Sequence, residues 1–265
     1  MDYILPETSL IQIKTLEKLG NHGTFEIEPL SPGFGVTLGN SLRRILLSSL
    51  EGAAISAIKI DGVSHQFSTI PACQEDVVEI ILNLKNLRFN LSADDPVTLK
   101  LDVKGPKAIY GKDFTVNPNC QVTNPDCYLA TLAKSGKLKM DVIVKNGRGY
   151  VPVEKRKEEK LPLGTIAIDS IFTPVKKIHF DVENTRVGGM TNFDKLNIEI
   201  TTDGSIDPEE ALGKAAKILV EHFGLIHQAC AVIPPKTKEK KTKDKITKIS
   251  AKKTKTKTAK KPKKA

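Results

Sequence analysis

The sequence predicts an α+β protein with a two-domain body, in which an antiparallel sheet and two long helices flank an inserted β-rich domain, followed by a disordered basic tail. Three observations carry this prediction. Short segments with apolar residues at every second position recur from residue 9 to residue 202. Two longer stretches, one near each end of the body, switch to the three-and-four spacing of an amphipathic helix. Beyond Pro235 the chain turns into Lys, Thr and Ala, with no apolar run able to build a core.

Residues 9–16 and 23–30 read as two strands with Ile11, Ile13, Phe25 and Ile27 in period two, joined by a loop over Glu17–His22 that carries Gly20 and Asn21. Pro29, Pro32 and Gly33 punctuate the chain before a helix. From Phe34 to Leu50, Phe34, Leu38, Leu42, Ile45 and Leu46 form one helical stripe. Gly35 and Gly39 sit one turn apart, each costing about 1 kcal/mol of helix propensity relative to Ala. That cost is tolerated where another backbone must come close. Leu47 and the pair Arg43–Arg44 lie off the stripe, so the helix is expected to bury more than one face.

Residues 52–165 read as β-rich. Ala54–Ile60 alternates, and Asp61-Gly62 is a hairpin signal. Gln74–Leu84 is helical, with Val77, Ile80, Ile81 and Leu84 on one face. Val97–Val103 and Leu138–Val144 alternate again, and the mixed charges of Lys155–Lys160 read as a solvated loop. Strand patterns return at Gly164–Ile168, Lys177–Val182 and Leu196–Thr202. Asp207-Pro208-Glu209-Glu210 then starts a helix, with an acceptor at the cap, Pro at the first position and acids in the first turn. Its stripe is Leu212, Ala215, Ala216, Leu219, Phe223 and Ile226.

Charge is unevenly placed. Residues 236–265 hold 15 Lys against Glu239 and Asp244, a local +13, which leaves −3 for residues 1–235 out of the total +10. The body therefore lacks the basic surface of a DNA-binding fold. Cys73, Cys120, Cys127 and Cys230 show no metal-ligand spacing and are expected as free thiols. With no signal-peptide pattern and no long apolar run, a cytoplasmic chain without a membrane partner is expected.

No sequence motif for catalysis is present. The chain lacks GxxxxGK[ST], GxSxG and HExxH, and Gly33-Phe34-Gly35 lacks the third glycine of a dinucleotide loop. The five histidines are isolated, and Asp94-Asp95 has no companion motif for a two-metal site. The expectation is a chain with no catalytic residues, no metal and no cofactor.

Several collinear blocks then point to a family. Glu28–Leu50, EPLSPGFGVTLGNSLRRILLSSL, is joined by Ile60-Asp61-Gly62-Val63, Gln74-Glu75-Asp76 with Leu82-Asn83-Leu84-Lys85, Gly147–Pro152, Asp194-Lys195-Leu196 and Ile206–Ala211. Across residues 9–227 the chain resembles the amino-terminal region of the bacterial-type RNA polymerase alpha subunit. The resemblance implies a non-catalytic subunit of a nucleotidyltransferase, a homodimer that nucleates assembly by binding the beta and then the beta-prime subunit. It implies a discontinuous dimerisation domain at 1–51 and 166–235, an insertion at 52–165 and a Lys-rich tail at 236–265. Dimer contacts are expected from Phe34, Gly35, Leu38, Gly39, Leu42, Ile45 and Leu46, and from Leu212, Ala215, Ala216, Leu219 and Phe223. Arg44 and Leu47 fall where the family contacts beta; Lys85, Val175 and Lys195 fall at positions associated with beta-prime. Leu47 and Val175 read equally well as packing residues.

The family's usual helical carboxy-terminal domain has no counterpart in this sequence. DNA is expected as a partner through the assembled enzyme, and the Lys-rich tail reads either as a solvated disordered terminus or as a sequence-independent contact with DNA phosphates. A rival reading makes the chain an autonomous nucleic-acid-binding protein driven by that tail. Another makes it an archaeal or eukaryotic scaffold sharing the LGNxLRR helix.

Overall fold

A computed structural model describes residues 10–93, 95–156 and 161–231 of the chain. The tail expected at 236–265 and part of the expected charged loop lie outside the described residues. In chain order the first elements are β1 (Gln12–Leu19), β2 (His22–Leu30), α1 (Phe34–Ser48), β3 (Glu51–Ile60), α2 (Val77–Leu84), β4 (Phe89–Leu91), β5 (Val97–Lys104) and β6 (Lys107–Tyr110). They are followed by β7 (Cys120–Val122), β8 (Tyr128–Leu132), β9 (Lys137–Arg148), β10 (Tyr150–Val151), β11 (Thr165–Ala167) and β12 (Ser170–Ile171). The long strands β13 (Val175–Val187) and β14 (Met190–Thr202) lead into α3 (Pro208–Ala231). The chain is thus a mixed α+β protein dominated by strands.

Up to Glu221 the described residues form one compact unit holding two hydrophobic cores; from His222 onward they continue α3 and are taken by themselves. The first core sits under an antiparallel sheet of order β1-β2-β14-β13. The two ends of the chain meet in it, because β2 pairs with β14 in a register that sets Phe25 beside Ile198. Alternation then puts Phe25 and Ile27 of β2 and Leu196, Ile198 and Ile200 of β14 into the core. Leu42 and Leu46 of α1 and Ala211, Leu212 and Ala215 of α3 close it.

The second core lies around the sheet β5-β9-β3-β4-β7, with β11 added to β3. Ile58, Leu101 and Val142 from its strands pack with Val77, Ile80 and Leu84 of α2. Asp76 caps α2, its carboxylate accepting the Glu79 N–H at 2.8 Å. The helix therefore begins three residues later than its apolar pattern suggested. Gln74 and Glu75 belong to the preceding loop, where Glu75 accepts the Thr131 N–H at 2.7 Å.

Three expectations are corrected. The first loop is a two-residue turn at Gly20-Asn21, since β1 extends to Leu19 with a bulge around Leu16. Asp61-Gly62 does turn the chain, the Val63 N–H reaching the Ile60 carbonyl at 3.2 Å, but no hairpin follows. β3 instead pairs with β9 over Glu51–Ile60, because that long partner satisfies the whole strand. Finally, Lys155 and Arg156, the described residues of the expected loop at Lys155–Lys160, end a 3-10 turn over Val153–Arg156, with the Arg156 guanidinium donating to the carbonyls of Ser56 and Ile168.

Candidate assembly interface

The candidate site is built on α1, whose fifteen residues present three faces rather than one stripe. At 100° per residue, Gly35, Leu42, Gly39 and Leu46 share a face, and all four are buried. The glycines have a definite purpose there. A Cβ on Gly39 would lie 2.6 Å from Phe180 Cδ2, and one on Gly35 would lie 2.7 Å from Val182 Cγ1. The helix rests directly on β13, and side chains rather than a backbone make the close approach. Leu212 and Ala215 on α3 are likewise buried in the chain's own core. Of the residues expected at a contact with a second copy, these six are packed within the chain's own structure.

The N-terminus of α1 is held from a distance. Gly33 precedes it with a left-handed backbone and no side-chain cap, and its first turn contains no acid. Asp194 of β14, only 7 % exposed, accepts the Gly35 N–H at 2.9 Å and replaces both.

The second face consists of Phe34, Leu38, Ser41 and Ile45, exposed or half-buried and without charge. The hydroxyl of Ser41 donates to the Thr37 carbonyl four residues back, at 2.8 Å, and lies along the helix. The third face is Val36, Asn40, Arg43 and Leu47, spaced four, three and four, with Arg44 on its flank; all five are exposed. Among the described residues no ion pair is formed to either arginine, whereas Lys14, Lys18, Lys85 and Lys195 all have acid partners. On α3, Ala216 and Val220 are exposed and Leu219 is half-buried, and Phe223 is exposed in its own right.

The residues expected to meet beta-prime fall into different environments. Lys85, at the end of α2, pairs with Asp169 at 3.3 Å, and Asp169 also accepts the Val153 N–H at 2.9 Å. Those bonds, the Val153 N–H foremost, hold the Asp169 carboxyl below the usual carboxylate range. Lys195 stands on the outer face of the four-stranded sheet between Glu183 at 2.5 Å and Glu26 at 3.7 Å. Val175 is 4 % exposed and packs in the first core, the role its alternative reading as a packing residue gave it.

Other chemistry finds little material. Among the described residues no group of three or more His, Cys, Asp or Glu could hold a metal ion. No helix among the described residues is long and apolar enough to cross a membrane. The four cysteines are free, and burial pushes the Cys120 thiol up to about 11, which keeps it protonated at neutral pH. Sequence reasoning missed the Asp194 cap, which lies 159 residues from its helix, and the membership of Val36 and Asn40 in the third face, which the four-three-four spacing does signal.

The family model described as the RNA polymerase Rpb3/RpoA insert domain matches residues 58–173. A DNA-directed RNA polymerase subunit alpha of Clostridium perfringens is 52 % identical over 219 residues, 83 % of this chain and 70 % of the relative. The protein of the same name from Carboxydothermus hydrogenoformans is 51 % identical over 214 residues, 81 % of this chain and 68 % of the relative. That of Alkaliphilus metalliredigens is 48 % identical over 219 residues, again 83 % and 70 %. Two-thirds of each relative is therefore represented at about half identity, and this chain belongs to the family of DNA-directed RNA polymerase alpha subunits.

Proposed function

We propose that this chain is the assembly scaffold of RNA polymerase: two copies associate through uncharged helix faces and together capture the large subunits, which carry the catalytic chemistry. The observation that carries this reading is the division of α1 into a buried face, an uncharged and partly exposed face, and an exposed face bearing two arginines that form no ion pair among the described residues. Association of identical chains about a two-fold axis brings the same patch of each chain together, which suits an uncharged patch and disfavours one whose charges are all of one sign. Phe34, Leu38 and Ile45 of α1 and Ala216, Leu219 and Phe223 of α3 then supply the contact between copies. Arg44 and Leu47 supply the contact with the beta subunit.

We assign the dimerising part to residues 1–51 and 166–235 and the insertion to residues 52–165. Lys85 and Lys195 meet beta-prime as members of their ion pairs, and Val175 supports that surface from within the core. Co-purification of the chain with beta tests the reading. Arg44→Ala and Leu47→Ala are expected to remain two-chain species and to lose beta. Lys85→Glu and Lys195→Glu are expected to keep beta and to lose beta-prime; retention of both large subunits by all four variants contradicts it.

A second role belongs to residues 236–265, where a net +13 favours sequence-independent contact with DNA phosphates. Removing them is expected to reduce the salt dependence of upstream-DNA binding by the assembled enzyme. An unchanged slope of binding against salt counts against that role.

A further inference from the structure

The exposed arginine-bearing face of α1 does not end with the helix. Beyond Leu47 the chain surface continues onto the β10–β12 pair. The Thr173 hydroxyl donates to the Leu47 carbonyl at 3.3 Å. A Cβ on Gly149 would lie 3.4 Å from the Ser48 carbonyl oxygen, and the Phe172 N–H donates to the Gly149 carbonyl at 2.8 Å. These contacts bring residues 149–151 and 170–173 against the C-terminal end of α1. In that pair Tyr150 stands directly across from Ile171, and the two are 58 % and 47 % exposed, beside Leu47 at 38 %.

Neither side chain fills a core, and with Leu47 they add apolar surface at the C-terminal end of α1, within one turn of Arg43 and Arg44. Among the described residues Glu51 is paired with Arg148, and Asp169 with Lys85, and Asp169 also accepts from the Tyr150 hydroxyl, which leaves the ring's apolar faces open. We propose that Tyr150 and Ile171 extend the capture surface of α1, and that Arg43 joins Arg44 in taking a carboxylate. The occupant is a segment of a large polymerase subunit with an acidic residue set between apolar side chains. A second copy of this chain is disfavoured, because it would add two more arginines where a carboxylate is required. An aromatic ring and an arginine are also the side chains that most often dominate binding at such surfaces. This proposal rests on the reading that α1 captures the beta subunit.

The test measures capture of purified beta by the full chain in wild type, Arg43→Glu, Tyr150→Ser, Tyr150→Phe and Ile171→Ser. Arg44→Ala and Leu47→Ala run in the same series, and each variant is checked for two-chain mass and melting temperature. About tenfold weaker capture is expected for Tyr150→Ser and for Ile171→Ser, and a larger loss for Arg43→Glu, with mass and melting unchanged. Tyr150→Phe, which keeps the ring, is expected to capture beta as wild type does. Wild-type capture by Tyr150→Ser and Ile171→Ser, alongside loss in Arg44→Ala and Leu47→Ala, would overturn the extension and leave the α1 reading standing. Undiminished capture by every variant would overturn both. A change of two-chain mass in Arg43→Glu, Tyr150→Ser or Ile171→Ser would give the surface to a second copy and overturn the proposal, as would equal loss with lowered melting in Tyr150→Ser and Tyr150→Phe.

Discussion

Single residues fix how α1 sits on its sheet. Gly39 leaves no room for a methyl group, since Phe180 already lies 2.6 Å from where a Cβ would be. Gly39→Ala is therefore expected to destabilise the chain by about 1–3 kcal/mol, the usual cost of overpacking, although alanine is the better helix former. Urea unfolding checks this, and a stabilised variant would show that the helix can move away freely. Asp194 is the second such residue. Its carboxylate is the acceptor for the Gly35 N–H at a helix start that has no side-chain cap of its own. Asp194→Ala is expected to cost about 0.5–2 kcal/mol by the same measurement. The glycine pair announced a close approach in the sequence, but its partner did not, because Phe180 lies 141 positions away on a strand whose pairing the local pattern does not specify. Asp194 was readable only as part of a family block, since nothing local tells a carboxylate on a strand that it will cap a distant helix.

At the scale of elements, periodicity located most strands and all three helices, and it failed where satisfaction of the backbone depended on distant partners. Asp61-Gly62 has the composition of a hairpin, yet β3 is claimed by β9 along its whole length. The helix stripe from Phe34 to Leu46 was read as one surface, whereas the three-dimensional neighbours divide it into a packed face and an open one. Apolarity alone cannot make that division, since a leucine facing its own core and one facing a partner follow the same spacing. The junction of α2 with the 153–171 region gives a pH test. Asp169 has its pKa lowered by the Val153 N–H and by Lys85. A depressed carboxyl pKa contributes stability above the unfolded value of about 3.9, and that contribution is lost as pH falls through the folded value. Asp169→Asn is thus expected to lower the melting temperature at neutral pH and to converge on wild type in acid. A parallel offset at every pH, followed by circular dichroism, would show that the loss is one of packing instead.

For the whole molecule, the two cores and the sheet that joins β2 to β14 account for helices that keep exposed faces. β2 and β14 join the chain's ends in one sheet, and α1, lying across β13 on that sheet, turns its remaining faces outward. In the proposed reading an uncharged face and an arginine-bearing face on one helix serve self-association and capture separately, so the two are expected to fail independently when mutated. The most direct measurement is the solution mass of the full chain, alone and with beta, for wild type, Phe34→Glu and Arg44→Ala. Wild type is predicted to have twice the chain mass and to bind beta, Phe34→Glu to fall to the mass of a single chain, and Arg44→Ala to stay at twice the mass without binding beta. A single-chain mass for wild type, or loss of both properties together in Arg44→Ala, would contradict the account.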